Sequence, residues 1–225
     1  MISVIIPALN EADRLSGLLR ALLDEPEKAE IIVVDGGSAD GTADLAAPGV
    51  RLVHAPAGRG RQICAGTALA RGEILLFLHA DTRFPPGGLH AIERALALDP
   101  AAIGGNFRLL FDGADGFSRW LNGFYAWIRA HGVYYGDSGI FVRRSVHDRI
   151  GGMRPAALME DFDFTRRLER RGKTLCLDQP PLTTSSRRFS GRNPAAIVGE
   201  WLLIHILYYL RVPPEILAWL YTKER

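Results

Sequence analysis

Short apolar runs alternate with amphipathic segments through the first half of the chain. Four runs predict strands, at residues 2–6, 31–34, 51–54 and 73–78. The second and the fourth are almost continuously apolar, as strands buried on both faces of a sheet are. The segments between them predict helices over residues 11–24, from about 42, from the loop 58–62 through 70, and over 87–98. This alternation predicts an α/β fold with a mostly parallel sheet and helices on both faces.

The pattern changes in the second half. Further strands are predicted at residues 104–111, 140–141, 174–177 and 182–186, and helices at 117–131 and 159–171. Then follow an apolar stretch at 195–210 and a short helix after Pro213 and Pro214. We therefore expect a main domain at residues 1–192 and a C-terminal appendage of apolar helices at 193–225.

The apolar stretch in the appendage falls short of the roughly 20 residues that span a bilayer. Its aromatic residues, flanked by Arg211, Lys223 and Arg225, suit a helix that lies in a membrane interface. A buried core helix or a homodimer contact explains the same residues, so all three interpretations stay open.

Composition narrows the class of protein. The net charge is +2, from 27 basic and 25 acidic residues, which does not indicate a nucleic-acid partner. Cys64 and Cys176 lie far apart, without metal-ligand spacing, and fit a reducing compartment. The chain starts almost directly in a strand, without a signal peptide. We expect a cytoplasmic protein, either free or peripheral on the inner face of the membrane.

The stretch EIIVVDGGSADGT at residues 30–42 joins a buried strand to a glycine turn and a helix start. This layout presents a ligand crevice at the carboxyl ends of parallel strands. Asp35 lies at that end and can accept hydrogen bonds from a base N–H or a ribose hydroxyl. Ser38 or Asp40 can cap the helix that follows, as Asn10 can cap the first helix. Alternatively, residues 35–37 form only a turn in which Asp35 bonds its own backbone.

Other charged residues follow predicted strands or begin predicted helices. Asp81 follows the fourth strand and suits Mg²⁺ or Mn²⁺, which are held by one or two carboxylates together with substrate phosphates. Arginines in the loops 58–62 and 185–192 suit a diphosphate, although solvated surface arginines explain them equally well. Glu160 and Asp161 in a first helical turn either favour the helix dipole or provide a general base.

Four motifs in this order resemble family 2 glycosyltransferases with a GT-A fold. They are VIIPALNE at 4–11, VVDGGSADGT at 33–42, LHADT at 78–82 and MEDFDF at 159–164. The resemblance covers residues 2–192 and implies a Rossmann-like, GT-A-type sheet. More narrowly, GRGRQ, LHADT, YGDSGIFVRR and SSRRF resemble a bacterial subgroup of arsenosugar-biosynthesis-type glycosyltransferases.

This resemblance implies a nucleoside-diphosphate sugar donor and a divalent cation, Mg²⁺ or Mn²⁺. The donor-binding residues that it implies are Pro7, Asn10, Glu11, Asp35, Gly37, Arg61, Ala80, Arg187 and Arg188. Asp81 would hold the metal. His79 stands where relatives carry a first acid, so it either assists as a metal ligand or only positions Asp81. A neutral imidazole is a poorer ligand for Mg²⁺ than a carboxylate is, and it suits Mn²⁺ better than Mg²⁺.

The resemblance also assigns the chemistry. Asp161, with Glu160 beside it, matches the family's catalytic base. The implied reaction is a single displacement at the anomeric carbon by an acceptor hydroxyl, with inversion. Position alone suggests the residues of the acceptor pocket, which are Tyr135, Asp137, Ser138 and Gly139.

Two other functions fit parts of the pattern. A nucleotidyltransferase also uses an α/β sheet and Mg²⁺, but residues 7–11 lack the glycine-rich, lysine-containing loop expected for a nucleoside triphosphate. A non-catalytic, nucleotide-sugar-binding module recruited to membranes would use the aromatic C-terminus and leave Asp81 and Asp161 without a task.

Overall fold

The structure, a computed structural model, describes residues 1–45 and 47–223, leaving aside the side chains of 222 and 223. Within these ranges, the strands of its single sheet are β1 (Ile2–Ala8), β2 (Glu30–Asp35), β3 (Val50–His54), β4 (Ile74–Phe77), β5 (Ala102–Phe111), β6 (Ile140–Arg143) and β7 (Lys173–Thr184). The α-helices are α1 (Ala12–Leu23), α2 (Arg59–Leu69), α3 (Gly88–Leu98), α4 (Gly116–Ala130), α5 (Arg144–Arg149), α6 (Glu160–Glu169), α7 (Pro194–Tyr209) and α8 (Pro214–Lys223).

The strand order is β3-β2-β1-β4-β6-β5-β7. β1 to β4 are parallel, β6 runs antiparallel between β4 and β5, and β7 is parallel to β5. The predicted α/β class with a mostly parallel sheet is confirmed. Because β1 pairs with both β2 and β4, the carboxyl ends of these three strands meet at one edge of the sheet.

Alternate residues of the central strands face two separate cores, as the two-residue period of a strand requires. On one face, Val4 and Ile6 pack with leucines of α1 and with α3. On the other face, Ile5 packs with Ile63 of α2 and Phe164 of α6. Helices therefore cover both faces, which explains why strands β2 and β4 are apolar along almost their whole length.

Two predicted elements differ in the structure. The helix expected from residue 42 is only a 3₁₀ turn, Thr42–Leu45. The two strands predicted at 174–177 and 182–186 are one strand, β7, in which Leu177 pairs opposite Phe107 and Leu182 opposite Leu109. The polar, proline-containing segment between them bulges out of the ladder without ending it.

The start of α1 also differs from the prediction, because Asn10 does not cap it. Asn10 adopts a left-handed conformation with φ of 55°, and Glu11 occupies the N-cap position without a side-chain cap bond. The first N–H of the helix, that of Ala12, instead donates to Asp40, which lies on another loop. A short polar helix, α5, was not predicted.

The two C-terminal helices pack against the start of α6. Ile204 of α7 and Leu217 of α8 join Met159 and Phe162 in a third apolar cluster, and Leu217 is fully buried. Among the described residues, no helix has the length and hydropathy needed to cross a membrane.

Candidate active site

Three loops follow the adjoining carboxyl ends of β1, β2 and β4, and we call residues 8–12, 35–42 and 78–82 the loop edge. Gln62 of α2 fixes the first two strands at this edge. Its buried amide donates to the carbonyl of Ala8 at 2.8 Å and to that of Val34 at 2.7 Å. Gln62 thus links the carbonyl groups at the ends of β1 and β2, and the Ala8 carbonyl also accepts from the Gly36 N–H at 2.9 Å.

Hydrogen bonds tie the first two loops to each other. The Asn10 N–H donates to Ser38 Oγ at 2.9 Å, and Asn10 Oδ1 accepts from the Ala39 N–H at 2.9 Å. The Glu11 N–H donates to Thr42 Oγ1 at 2.9 Å. The side-chain oxygen of Asn10 therefore bonds within the loop edge, and a ligand could contact only the exposed part of this residue.

Asp35 ends β2 and is almost fully buried. It accepts from the N–H of Gly37 at 3.0 Å and of Ser38 at 3.2 Å, so the predicted self-bonded turn is present. Burial opposes ionisation, but the bonds from Ser38 and Gly37, with His54 nearby, hold the pKa of Asp35 below its ordinary value. Gly37 is in the left-handed region, with φ of 92°, which glycine adopts without strain.

Glu11 connects the loop edge to the C-terminal part of the chain. Its carboxylate lies 3.0 Å from Arg187 Nη2 and 3.2 Å from Arg14. Arg187 and Arg188 belong to a 3₁₀ turn, Arg187–Phe189. Pro7 and Ala80, by contrast, are buried, and Ala80 packs in the core.

A cavity of about 490 Å³ lies next to the loop edge. Charged and polar side chains form its floor, namely Arg59, His79, Asp137, Asp161 and Arg188. Aromatic side chains from four elements form what we call the aromatic wall, namely Phe124, Tyr125, Tyr135, Trp201 and Tyr221. Aliphatic residues of α7 complete the lining, so the cavity joins a charged floor to an apolar side.

Arg59, the first residue of α2, is the centre of the charged floor. Its Nε donates to Glu160, its Nη2 lies 3.8 Å from Asp161 Oδ2, and its Nη1 lies 3.4 Å from His79 Nε2. Arg61, the residue implied by the resemblance, lies two residues further along the helix with an exposed side chain. No sequence signal distinguishes Arg59 from Arg61, because the residue at which α2 begins decides which of the two faces the cavity.

Glu160 and Asp161 have different environments although they are neighbours. Glu160 is fully buried, outside the cavity lining, and burial raises its pKa despite Arg59. Asp161 faces the cavity, with Oδ2 accepting from the Gly136 N–H and Oδ1 from the Phe162 N–H, each at 2.8 Å. Burial opposes its ionisation, but Arg59 and these N–H groups hold the pKa of Asp161 below its ordinary value.

His79 and Asp81, the residues predicted to hold a metal, do not both line the cavity. Burial, with the charge of Arg59, lowers the pKa of His79 to about 3, so its ring is neutral, and its Nε2 faces a donor. Asp81 is half-buried and does not line the cavity. Within the described ranges, no cluster of three or more His, Cys, Asp or Glu is arranged to hold a metal. Asp81 still fits a hard cation whose remaining ligands are substrate phosphates. A neutral His79 ring that accepts from Arg59 at Nε2 carries its proton on Nδ1, so it does not fit as a second ligand.

The four residues predicted for the acceptor pocket separate into two groups. Tyr135 and Asp137 line the cavity, and the Tyr135 hydroxyl lies 2.8 Å from His205 Nε2. Ser138 lines a different cavity, and Gly139 packs against core side chains, which leave no room for a Cβ. Trp201 and His205, which no motif identified, reach the cavity from α7 because tertiary packing brings this helix there.

Asp137 is the most unusual carboxylate of the floor. Burial and the like charge of Asp161 raise its pKa to about 6, although Arg188 and Arg59 oppose the rise. Its Oδ2 lies 3.4 Å from Arg188 Nη2. Its Oδ1 is buried and has no hydrogen-bond partner among the described residues.

Comparison with protein families identifies the family of this chain. The sequence model of Glycosyl transferase family 2 matches residues 3–156. The probable glycosyltransferase YdaM of Bacillus subtilis is 24% identical over 195 residues, which is 74% of this chain and 46% of YdaM. The undecaprenyl-phosphate 4-deoxy-4-formamido-L-arabinose transferase of Edwardsiella ictaluri is 37% identical over 98 residues, which is 38% of this chain and 30% of that protein. The chain thus spans less than half the length of these two relatives.

Solved structures share the fold. The mannosyltransferase PcManGT of Pyrobaculum calidifontis, solved with GDP-Man and Mn²⁺, has a TM-score of 0.68 at 21% identity, covering 99% of this chain and 68% of its own. The glucosyl-3-phosphoglycerate synthase of Mycobacterium tuberculosis, solved with Mn²⁺, UDP and glucosyl-3-phosphoglycerate, has a TM-score of 0.61 at 17% identity, covering 95% and 81%. These likenesses confirm the predicted fold.

Proposed function

This chain belongs to glycosyl transferase family 2, and on that premise we propose that it transfers a sugar, with inversion, from a nucleoside-diphosphate sugar to an acceptor hydroxyl. The observation that carries the proposal is the position of the cavity. Its floor brings Arg59, Asp161 and Arg188 together next to the loop edge. Membership of the family sets aside the nucleotidyltransferase alternative, whereas the arsenosugar-type subgroup stays a prediction.

The nucleoside diphosphate would bind along the loop edge. Asp35 and the backbone around Asn10 and Glu11 offer hydrogen-bond acceptors and donors at the carboxyl ends of β1 and β2, where open α/β sheets bind ligands. The two structural neighbours are described with GDP-Man or UDP bound, which supports a nucleotide-sugar donor. Arg187 and Arg188 could neutralise its diphosphate.

Asp81 would hold a divalent cation, to which the diphosphate would supply further oxygen ligands. When bound, the cation supplies charge neutralisation to the departing phosphate. The Mn²⁺ in both neighbours supports a cation of this class.

The protein's own residues would act on the acceptor. The hydroxyl oxygen bonds to the anomeric carbon, the bond from that carbon to the diphosphate oxygen breaks, and the nucleoside diphosphate leaves with the electron pair. A carboxylate of the floor takes the hydroxyl proton, and Asp161, which matches the family's base, is the first candidate. Arg59 and Arg188 stabilise the developing negative charge.

The aromatic wall favours an acceptor with an apolar part. The apolar surface continues outside the cavity, where Leu202 is 62% exposed although it also lines the cavity. Exposed apolar residues of α7, its C-cap and α8 extend it, namely Val198, Leu203, Ile206, Tyr209, Leu210, Ile216 and Trp219. We propose that this face contacts a membrane carrying an amphiphilic acceptor, which the undecaprenyl-phosphate transferase similarity supports.

Some basic residues expected beside this face cannot be compared with the structure. Arg211 follows α7, but the side chain of Lys223 and the whole of Arg225 lie outside the described residues.

The membrane contact is tested by sedimentation with anionic lipid vesicles. Ile206→Asp should reduce binding, whereas Leu98→Asp, equally drastic on a remote surface, should not. If Ile206→Asp instead turns a dimer into a monomer, the face is a homodimer contact.

The donor site is tested by a thermal-shift screen of nucleoside diphosphates with and without Mn²⁺. A ligand that binds only the folded state stabilises it by about 2.7 kcal/mol at a hundredfold excess over its dissociation constant. We expect an Mn²⁺-dependent shift with one nucleotide and slow hydrolysis of the matching nucleotide sugar. Absence of any shift would contradict the proposed function and favour a membrane-recruitment or partner-binding module without a donor site.

A further inference from the structure

Helix α4 is apolar on more than one side, and only part of that apolar surface is covered. Leu121 and Ile128 are buried. On another side of the same helix, Trp120 is 45% exposed and Trp127 is 60% exposed. A surface helix ordinarily carries polar residues outside its buried stripe, so these large exposed rings indicate a contact with something beyond this chain.

The exposed rings continue along the helix as one row, which we call the α4 row and define as Phe117, Trp120, Phe124, Trp127 and His131. Steps of three and four residues place them on one side of the helix. Neighbouring ring centroids lie 5.5, 4.9, 6.2 and 4.7 Å apart. Trp120 stacks between Phe117 and Phe124, with its plane tilted from theirs by 10° and 9°.

This stacking decides which kind of partner the α4 row suits. Both faces of Trp120 are covered by its neighbours, so its edge is what remains exposed. A sugar binds an aromatic ring by stacking on an open face, which Trp120 does not offer. A membrane–water interface makes no such demand, and tryptophan is enriched there because its ring is apolar and its N–H is polar.

The α4 row also borders the cavity described above. Phe124 lines that cavity from α4, while Val198 and Leu202 line it from α7 and are 39% and 62% exposed. Ile206, four residues further along α7, is exposed as well. Exposed apolar residues therefore continue from the cavity along two helices, one on each side of its opening.

The charges on these two helices suit an anionic lipid surface. Glu200 is the only acidic residue in the sequence of α4 and α7, and it is buried and accepts from Arg192 at 2.8 Å. Arg119 on α4 and Arg211 after α7 are exposed. Anionic lipids attract such basic residues. A second copy of the chain would instead bring the same basic residues together without an exposed acid from either helix.

We propose that the α4 row lies in the interface of an anionic membrane, so that the cavity opens towards the bilayer and receives its acceptor from there. This extends the membrane contact proposed for α7 and α8 to a second element and gives the cavity an orientation. The contact itself does not depend on the transfer chemistry, whereas the delivery of an acceptor rests on the proposed function. A membrane over the opening also keeps water away from the reacting sugar.

Chains that keep one tryptophan each test the α4 row directly. The four tryptophans are changed to Phe in sets of three, at positions chosen from 120, 127, 201 and 219. Vesicles of phosphatidylcholine and phosphatidylglycerol carry bromine on their acyl chains near the headgroups, where bromine quenches an inserted indole. We expect brominated vesicles, but not unbrominated ones, to quench Trp120 and Trp127. Leu98→Trp in the chain without other tryptophans is the exposed control and should keep its emission.

Vesicle affinity provides a second readout. Trp120→Asp should weaken binding roughly tenfold or more, because it removes a large apolar side chain and places a negative charge against anionic lipid. Trp120→Phe keeps a ring at this position and should retain most of the affinity. Melting temperatures measured without vesicles show whether both variants fold.

The orientation of the cavity is tested with the chain that keeps only Trp201, which lines the cavity from α7. Acrylamide, a quencher dissolved in water, should quench Trp201 in the free protein. Anionic vesicles should reduce this quenching, because the bilayer covers the opening. If the vesicles bind and acrylamide quenching of Trp201 stays the same, the opening faces water and the inference is wrong.

The remaining outcomes separate the inference from the proposed function. Lipid quenching of Trp219 without quenching of Trp120 or Trp127 would restrict the membrane contact to the C-terminal helices and contradict the inference. Absence of vesicle binding would contradict it too, as would a dimer that Trp120→Asp converts to a monomer, since a second copy would then cover the α4 row. If lipid quenches the α4 row but no nucleoside diphosphate binds, the membrane orientation holds and the proposed transfer fails.

Discussion

The loop edge and the aromatic wall border one cavity, but different parts of the sequence build them. The loop edge consists of short loops held by backbone groups and small polar side chains, and it lies within the residues that match the family. The aromatic wall is a set of large rings from α4, α7, α8 and the loop before the 136–138 turn. Trp201 and Tyr221 lie beyond the matched residues, and the other three rings lie within them. The loop edge therefore depends on local sequence, whereas the aromatic wall depends on how segments distant in the sequence pack together.

The largest effect is expected at the loop edge, from Asp81→Asn. Removing the carboxylate charge should weaken cation binding and lower kcat/KM roughly 1,000-fold, about 4 kcal/mol of transition-state stabilisation. The Mn²⁺-dependent part of the thermal shift should disappear as well. Asp13→Asn on the exposed side of α1 is the control. An unchanged Mn²⁺-dependent shift in Asp81→Asn would place the cation elsewhere.

Arg59 belongs to the charged floor, between the loop edge and the aromatic wall. Arg59→Ala should lower the stability of the protein. It leaves Glu160, whose side chain is 1% exposed, without its cation, so we expect a loss of about 3 kcal/mol in the free energy of unfolding at neutral pH. Adding Glu160→Gln should restore most of the loss. Arg61→Ala, on the exposed side of the same helix, should change stability by less than about 0.5 kcal/mol. Urea denaturation measures all four proteins, and failure of the rescue would contradict a charge-based cause.

Prediction from the sequence succeeded at the loop edge and failed at the aromatic wall. Asp35 and its glycine turn were predicted because a buried strand, an acid and two glycines specify a local backbone shape that hardly depends on the rest of the chain. The mostly parallel sheet followed from the strand–helix alternation for a similar reason. The self-bonded turn of Asp35 was one of the two alternatives left open, and it is present.

What could not be predicted depends on tertiary packing. Which arginine of the 58–62 loop faces the cavity is decided by where α2 begins, and the cap on α1 comes from Asp40 on another loop. Trp201 and His205 belong to a stretch that is apolar almost throughout, so no periodic pattern shows which face of α7 meets the cavity. Its packing against α6 decides that.

Leu217→Ala tests whether the aromatic wall is part of the main structure. Leu217 of α8 is fully buried with Ile204 and Phe162, so its truncation should lower the free energy of unfolding by roughly 2–3 kcal/mol. Ile216→Ala, its half-exposed neighbour, should have little effect. The main unfolding transition should shift as a whole. If only a minor early transition moves, the C-terminal helices unfold separately, as an appendage would.

The smallest effect is expected at Asp35, and its pH dependence sharpens the comparison. Asp35→Asn removes charge-assisted bonds to the Gly37 and Ser38 N–H groups, and should lower stability by about 1 kcal/mol at neutral pH. Because the folded pKa of Asp35 lies below its unfolded value, this stabilisation is complete above about pH 4 and is lost as pH falls through the folded pKa.

The difference between Asp35→Asn and the unsubstituted chain should therefore be constant from about pH 7 to 5 and shrink below about 4. Asp137 on the cavity floor has the opposite sign, since its raised pKa makes the folded chain lose stability as pH rises towards about 6. Urea denaturation of Asp35→Asn and Asp137→Asn across this range distinguishes the two environments. The charged form of Asp35 stabilises the fold because it accepts N–H bonds of its own loop. The charged form of Asp137 destabilises the fold because this carboxylate is buried near Asp161. Parallel pH profiles for the two variants would contradict this division of the site.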